Sequence, residues 1–91
     1  MAKPILVANW KNHPGSLFEA KALLSQLSKS STLYKKLSLF IAPPLPYLES
    51  VSLRTKNFAH LASQDVSSSL GGTHTGDVTP DILKSFGVRL A

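Results

Sequence analysis

The feature that most constrains this chain is a regular alternation of short apolar runs with segments that carry helix signals. Residues 5–9 (ILVAN), 37–42 (LSLFIA) and 58–64 (FAHLASQ) have the length and composition of strands, and residues 88–91 begin a fourth such run. The first run lacks polar alternation, which is typical of a strand buried on both faces. Strands that alternate with helices predict an α/β fold with parallel strands joined by right-handed crossovers.

The helices between these strands are predicted from their N-terminal signals. Ser16 and Glu19 have the S-x-x-E spacing of a capping box. Pro46 suits the first turn of a second helix, and Thr79 followed by Pro80 opens a third. Behind the capping box, apolar residues at helical spacing predict one buried stripe, formed by Leu17, Ala20, Leu24 and Leu27.

Length and composition narrow the class of protein. The chain has 91 residues, of which 43% are apolar and 16% charged, and this indicates one small globular domain. The absence of cysteine excludes disulfides, thiolate catalysis and cysteine-ligated zinc. No run of about 18 apolar residues is present, which excludes a membrane span. The apolar stretch before Asn9 is too short for a signal peptide, so we expect a cytoplasmic protein.

Charge and histidine spacing argue against two kinds of partner. Ten basic residues and five acidic ones give a formal net charge of +5. Only Lys35 and Lys36 are adjacent, and no aromatic residues interleave them, so we expect a solvated surface rather than nucleic-acid binding. His13, His60 and His74 lack the spacing of metal ligands, and no metal site is predicted.

The number of units suggests that the domain is part of something larger. A parallel sheet needs helices over both faces or closure into a barrel, and three strand–helix units with a fourth strand achieve neither. Residues 65–76 form a polar loop, rich in glycine and serine, whose length of about a dozen residues suggests a function.

Four short motifs, in order along the chain, identify a family resemblance. Residues 8–11 (ANWK) follow the first strand, 41–44 (IAPP) end the second, 62–66 (ASQDV) end the third, and 72–77 (GTHTGD) lie in the long loop. Together they resemble the N-W-K, A-P-P, A-x-Q-[ND] and G-x-x-T-G-[ED] motifs of the triosephosphate isomerase family. The resemblance extends from Ile5 to Ala91.

The resemblance implies a fold and an activity. Family members are (β/α)₈ TIM barrels of about 250 residues, so residues 1–91 would be a partial barrel domain, from the first strand to the start of the fourth. The family interconverts dihydroxyacetone phosphate and glyceraldehyde 3-phosphate, in glycolysis and gluconeogenesis, without a cofactor. Its catalytic histidine follows strand four and its glutamate base follows strand six. The 91-residue chain alone is therefore expected to be inactive.

The same resemblance assigns residues to sites. Asn9 and Lys11 would bind the triose phosphate, and Lys11 would also act as a catalytic residue by stabilising developing negative charge. The long loop would insert beside the active site of a second subunit in a homodimer, with Thr75 near the partner's Asn9. The implied interface residues are Gln64, Asp65, Thr73, His74, Thr75 and Asp77.

Two other functional classes fit the order of strands and helices. One is a non-catalytic (βα)₃ module that acts only by association. The other is a small flavodoxin-like ligand binder, which accounts for the alternation of elements but not for the four motifs. Residues that follow Ala91 would separate the isomerase from the non-catalytic module, and a ligand at the strand ends would indicate the third class.

Overall fold

A computed structural model describes residues 3–69 and 71–91. The described residues form one four-stranded parallel sheet in the order β1-β2-β3-β4. The strands are β1 (Ile5–Asn9), β2 (Ser38–Ala42), β3 (His60–Ala62) and β4 (Val88–Leu90). The α-helices between them are α1 (Leu17–Lys29), α2 (Leu48–Arg54) and α3 (Pro80–Ser85). Short 3₁₀ turns at Ser31–Tyr34 and Leu45–Tyr47 precede β2 and α2. The predicted α/β fold with parallel strands is confirmed.

The strand order distinguishes between the two predicted architectures. A doubly wound sheet of the flavodoxin type places its first strand inside the sheet. Here β1 lies at an edge, and each later strand is added beside the one before it. Sequential addition is the arrangement of a (β/α)₈ barrel, so the chain has the fold of a partial TIM barrel.

Polar side chains set the starts of two helices as the sequence predicts. The Ser16 hydroxyl accepts a hydrogen bond from the Glu19 N–H at 3.2 Å at the start of α1. At the start of α3, the Thr79 hydroxyl accepts from the Ile82 N–H at 3.5 Å. Each cap satisfies a backbone donor that has no partner within the first helical turn.

The core lies between the sheet and the three helices. Register places Leu39 and Ile41 of β2 on the same sheet face as Leu61 of β3, since Ile41 is paired with Leu61. Leu24 of α1 and Val51 of α2 pack onto this face. The buried cluster consists of Leu24, Leu39, Ile41, Leu48, Val51, Leu61 and Leu83. Leu24 is fully buried and Leu27 packs at the margin of the core, whereas Leu17 of the predicted stripe is exposed.

The opposite sheet face is uncovered along β1. Ile5 and Val7 of β1 are 67% and 45% exposed, and both lie on this face because side chains alternate along a strand. The prediction that residues 5–9 form a buried strand is therefore wrong for this chain. The physical reason is that β1 is an edge strand, and the helices cover only one face of the sheet.

This difference in burial can be measured with two identical substitutions. We expect Ile41→Val, at a fully buried site, to lower the free energy of unfolding by about 0.5–1.5 kcal/mol because it leaves a methyl-sized cavity. Ile5→Val removes the same methyl group from an exposed site and should change the free energy of unfolding by less than about 0.5 kcal/mol. Urea denaturation followed by circular dichroism provides both values. Equal effects would contradict the one-sided core.

Candidate active site

The site is built around a sharp turn at the carboxyl end of β1. The Trp10 N–H donates to the Ala42 carbonyl at 3.0 Å and extends the pairing of β1 with β2. Lys11 then adopts a left-handed backbone conformation with φ of +55°. The Asn9 Oδ1 atom accepts a hydrogen bond from the Lys11 N–H at 2.8 Å, which stabilises this turn. Both side chains are exposed at the end of the sheet where TIM-barrel active sites form.

The orientation of Asn9 decides which of its groups a ligand would meet. Because Oδ1 accepts from the backbone of Lys11, the Nδ2 amino group is the part of the amide that remains to donate to a ligand. Beside it, the Lys11 side chain supplies an ammonium group. The two residues together present hydrogen-bond donors and one positive charge, which suit an anionic, oxygen-rich ligand.

Gln64 joins this turn to the next two strands. Its Nε2 atom donates to the Lys11 carbonyl at 2.6 Å and to the Ala42 carbonyl at 3.0 Å. One side chain thereby connects the ends of β1, β2 and β3. The sequence analysis assigned Gln64 only to an interface and missed this role. No local sequence signal reveals it, because the two carbonyls belong to residues 53 and 22 positions away that meet Gln64 only in the folded sheet.

A second long-range contact holds the loop that follows Lys11. The Tyr47 hydroxyl donates to the Pro14 carbonyl at 3.0 Å in a half-buried position. Within the loop, the His13 N–H donates to the Trp10 carbonyl at 3.1 Å. Tyr47 comes directly before α2, and sequence reasoning did not foresee a role for its hydroxyl. These bonds fix both sides of the turn on which Lys11 lies.

The long loop lies at the same end of the sheet and is stabilised by its own polar groups. Asp77 accepts from the Ser67 hydroxyl at 3.1 Å, and the Ser67 N–H donates to the Val78 carbonyl at 2.8 Å. The Asp65 carboxylate accepts from the Val66 N–H at 2.8 Å. Both acidic residues of the implied interface therefore make contacts within their own loop.

The other implied interface residues lie farther along this loop. Thr73, His74 and Thr75 are exposed, and Gly76 follows with φ of +90°, a conformation that favours glycine. None of the side-chain hydrogen bonds found among residues 3–69 and 71–91 involves these three exposed side chains. The structure thus brings Asn9, Lys11 and Gln64 together and leaves the 73–75 segment at the surface.

A cavity of about 280 Å³ opens between Gln64 and the long loop. Its wall includes Pro43, Leu45, Ser63 and Asp77. The Ser63 hydroxyl is buried and has no hydrogen-bond partner within the described part of the chain. A buried hydroxyl without a partner is uncommon in native structures. Ser63 borders the cavity, although its hydroxyl oxygen is itself shielded from solvent.

Features outside this site bear on metal binding and on membrane insertion. His60 accepts a hydrogen bond from the Arg89 guanidinium at 2.9 Å, and its ring lies 5.0 Å from that of Phe40, so it has structural partners. Within residues 3–69 and 71–91, no group of three or more histidine or acidic side chains is placed to hold a metal ion. No helix of this same described portion is long and apolar enough to cross a membrane.

Comparison with known proteins decides the family. The family model described as triosephosphate isomerase matches residues 4–91, which is almost the whole chain. The chain belongs to the triosephosphate isomerase family. This agrees with the resemblance carried by the four sequence motifs and with the sequential strand order of the sheet.

Individual members of the triosephosphate isomerase family are similar to this chain over nearly its full length. The triosephosphate isomerase of Psychromonas ingrahamii is 30% identical over 90 residues, which cover 98% of this chain and 36% of the relative. That of Wigglesworthia glossinidia brevipalpis is 35% identical over 88 residues, covering 96% and 34%. That of Dechloromonas aromatica is 36% identical over 90 residues, covering 98% and 35%. The chain thus spans about a third of the length of these relatives.

The role of Gln64 in fixing the family's N-W-K turn can be tested by hydrogen exchange. Gln64→Glu removes both amide donors and places negative charge beside two carbonyl oxygens. The loss of a donor to a carbonyl costs about 1–3 kcal/mol, which lowers the free energy of local opening at this turn. Hydrogen exchange at the Trp10 and His13 amides should therefore accelerate at least about tenfold. Gln26→Glu, at an exposed position of α1, is the matched control and should leave both rates unchanged. Unchanged rates in Gln64→Glu would contradict the bracing role.

Proposed function

We propose that this chain forms the first three βα units of a triosephosphate isomerase, a cytoplasmic enzyme that interconverts dihydroxyacetone phosphate and glyceraldehyde 3-phosphate in glycolysis and gluconeogenesis. The observation that carries the proposal is the placement of Lys11. Its side chain is exposed at the carboxyl end of the sheet, on a turn held by Asn9 and Gln64. Family membership supplies the substrate class.

The proposed chemistry is proton transfer through an enediolate. A carboxylate base removes a proton from carbon, and a neutral imidazole polarises the carbonyl group. Negative charge then develops on the substrate oxygens, where the Lys11 ammonium stabilises it and Asn9 Nδ2 donates a hydrogen bond. The family's base and imidazole follow later strands than those present here. Neither role is assigned to a residue of this chain, which is expected to be inactive by itself, and no cofactor is required.

The rigidity of the Lys11 turn matters for this role. A charge that is already in place when the enediolate forms stabilises the transition state without further reorganisation. Three contacts hold the turn: Asn9 Oδ1 on the Lys11 amide, Gln64 Nε2 on the Lys11 carbonyl, and Tyr47 on the Pro14 carbonyl. They restrict the backbone on both sides of Lys11. Its ammonium group therefore has to search only its own side-chain rotamers.

We further propose that the full-length protein is a homodimer in which the long loop docks beside the partner's site. The exposed segment 73–75 is the part that would insert, and Thr75 would lie near the partner's Asn9. Two features support this proposal. Internal hydrogen bonds at Ser67 and Asp77 preorganise the loop, and a cavity bordered by Gln64 and Ser63 lies beside it. An inserted polar segment would occupy that cavity.

A chimera tests the isomerase proposal. Residues 1–91 replace the matching N-terminal part of the Dechloromonas aromatica relative, and steady-state kinetics are measured in a coupled assay. We expect the chimera to be active and Lys11→Met to lower kcat/KM at least about a hundredfold, since one such electrostatic donor contributes about 2.7–4 kcal/mol. The 91-residue chain alone should give no turnover.

The matched control for this substitution is Lys21→Met, an exposed lysine on α1 outside the site. It should retain the kcat/KM of the parent chimera. If Lys11→Met is as active as Lys21→Met, the assignment of Lys11 is wrong. If the chimera folds but has no activity, the non-catalytic module becomes the better description.

Loop deletion tests the dimer in the same chimera. Removal of residues 73–75 should produce monomers with very low activity, because the inserting segment is lost. Sedimentation velocity measures the oligomeric state, and Ser68→Ala, at an exposed position of the same loop outside the implied interface, controls for local disturbance. An active dimer after the deletion would contradict the assignment of this loop.

A further inference from the structure

Charged side chains are sorted between the two ends of the sheet. All five acidic residues lie at the carboxyl end, in the first turns of helices or in the long loop: Glu19, Glu49, Asp65, Asp77 and Asp81. Eight of the ten basic residues lie at the amino end: Lys3, Lys29, Lys35, Lys36, Arg54, Lys56, Lys84 and Arg89. The dispersed charge seen in the sequence is therefore concentrated by the fold.

Helix dipoles explain only part of this separation. Lys29, Arg54 and Lys84 lie in the last turns of helices, where positive charge is favourable. The other five basic residues are outside the helices, either before a strand or within β4. Their position at the amino end needs another explanation.

Three of these residues line one cavity. It has a volume of about 470 Å³ and is bordered by Lys3, Lys35 and Lys56. Ser38 and Asn57 add a hydroxyl and an amide to the same wall. None of the described residues that line the cavity is acidic. Three lysines and two polar residues therefore border a cavity that has no acidic residue in its described wall.

An aromatic pair forms another part of the wall. The rings of Tyr34 and Phe58 lie 6.2 Å apart and both border the cavity. They are half-buried against the hydrophobic core, so this side of the cavity is supported by packed residues. A concave site with one apolar wall and several cationic groups fits a small molecule better than an extended polymer.

We propose that this amino-end cavity binds a small anion with two or more linked phosphate groups. The three lysines carry a charge of +3, which a diphosphate or a more negative triphosphate can neutralise, whereas a single phosphate would leave part of that charge uncompensated. Ser38 and Asn57 can donate to further phosphate oxygens. The cavity lies at the opposite end of the sheet from Lys11. The proposal is therefore independent of the proposed isomerase activity.

Binding is tested by isothermal titration of the 91-residue chain with sodium triphosphate, orthophosphate and ATP. We expect saturable binding of triphosphate, with orthophosphate at least about tenfold weaker, because fewer charges are paired. The combined Lys35→Gln and Lys56→Gln variant should lose at least about tenfold in triphosphate affinity. Because both side chains are exposed, we expect the variant to keep the fold, and far-UV circular dichroism checks this.

The matched control removes the same charge elsewhere at the amino end. Lys36 and Lys84 do not border the cavity, and their combined replacement by glutamine should change affinity by less than about twofold. ATP that binds more tightly than triphosphate would identify a nucleotide ligand, and equal affinities would identify the phosphate chain alone. Both results support the site. Absence of saturable triphosphate binding, an equal loss in the control, or loss in Lys11→Gln would overturn it.

Discussion

The structure depends on the burial of one face of β2. Ile41 is fully buried between Ala8 of β1 and Leu61 of β3, and the buried side chains of Leu24 and Val51 belong to the same core. This contact fixes the register of the two neighbouring strands and the positions of α1 and α2 together. It also aligns the carboxyl ends of three strands, so that Asn9 and Ala42 lie side by side. The candidate active site inherits its geometry from this alignment.

Most of the fold could be predicted because its signals are local. The limits of β1 coincide with the predicted run, and the caps at Ser16 and Thr79 begin α1 and α3 as expected. The burial of residues 5–9 could not be predicted, because an apolar run indicates only that a strand needs partners. Whether other strands and helices cover that strand depends on residues far away in the sequence. Here β1 is an edge strand, and only one of its faces is turned to the helices.

The candidate site likewise has features that could be predicted from the sequence and features that could not. A strand end in an α/β fold is a general place for ligands, so Asn9 and Lys11 could be selected from sequence and from the family resemblance. The left-handed conformation of Lys11 and the contacts of Gln64 and Tyr47 could not. These contacts join residues 53 and 33 positions apart, and they exist only once separate βα units have packed together. Their side chains carry no distinctive local pattern.

The distance along the chain between Lys11 and Gln64 has a consequence for biosynthesis. A ribosome makes the chain from its N-terminus, so the Lys11 turn leaves the exit tunnel while the residue that braces it is 53 positions behind. During this interval the turn on which Lys11 lies lacks the side chain that braces it, and β1 lacks the strand with which it pairs. The geometry of the Lys11 turn, which follows β1, therefore depends on a residue that is synthesised later, Gln64 just after β3.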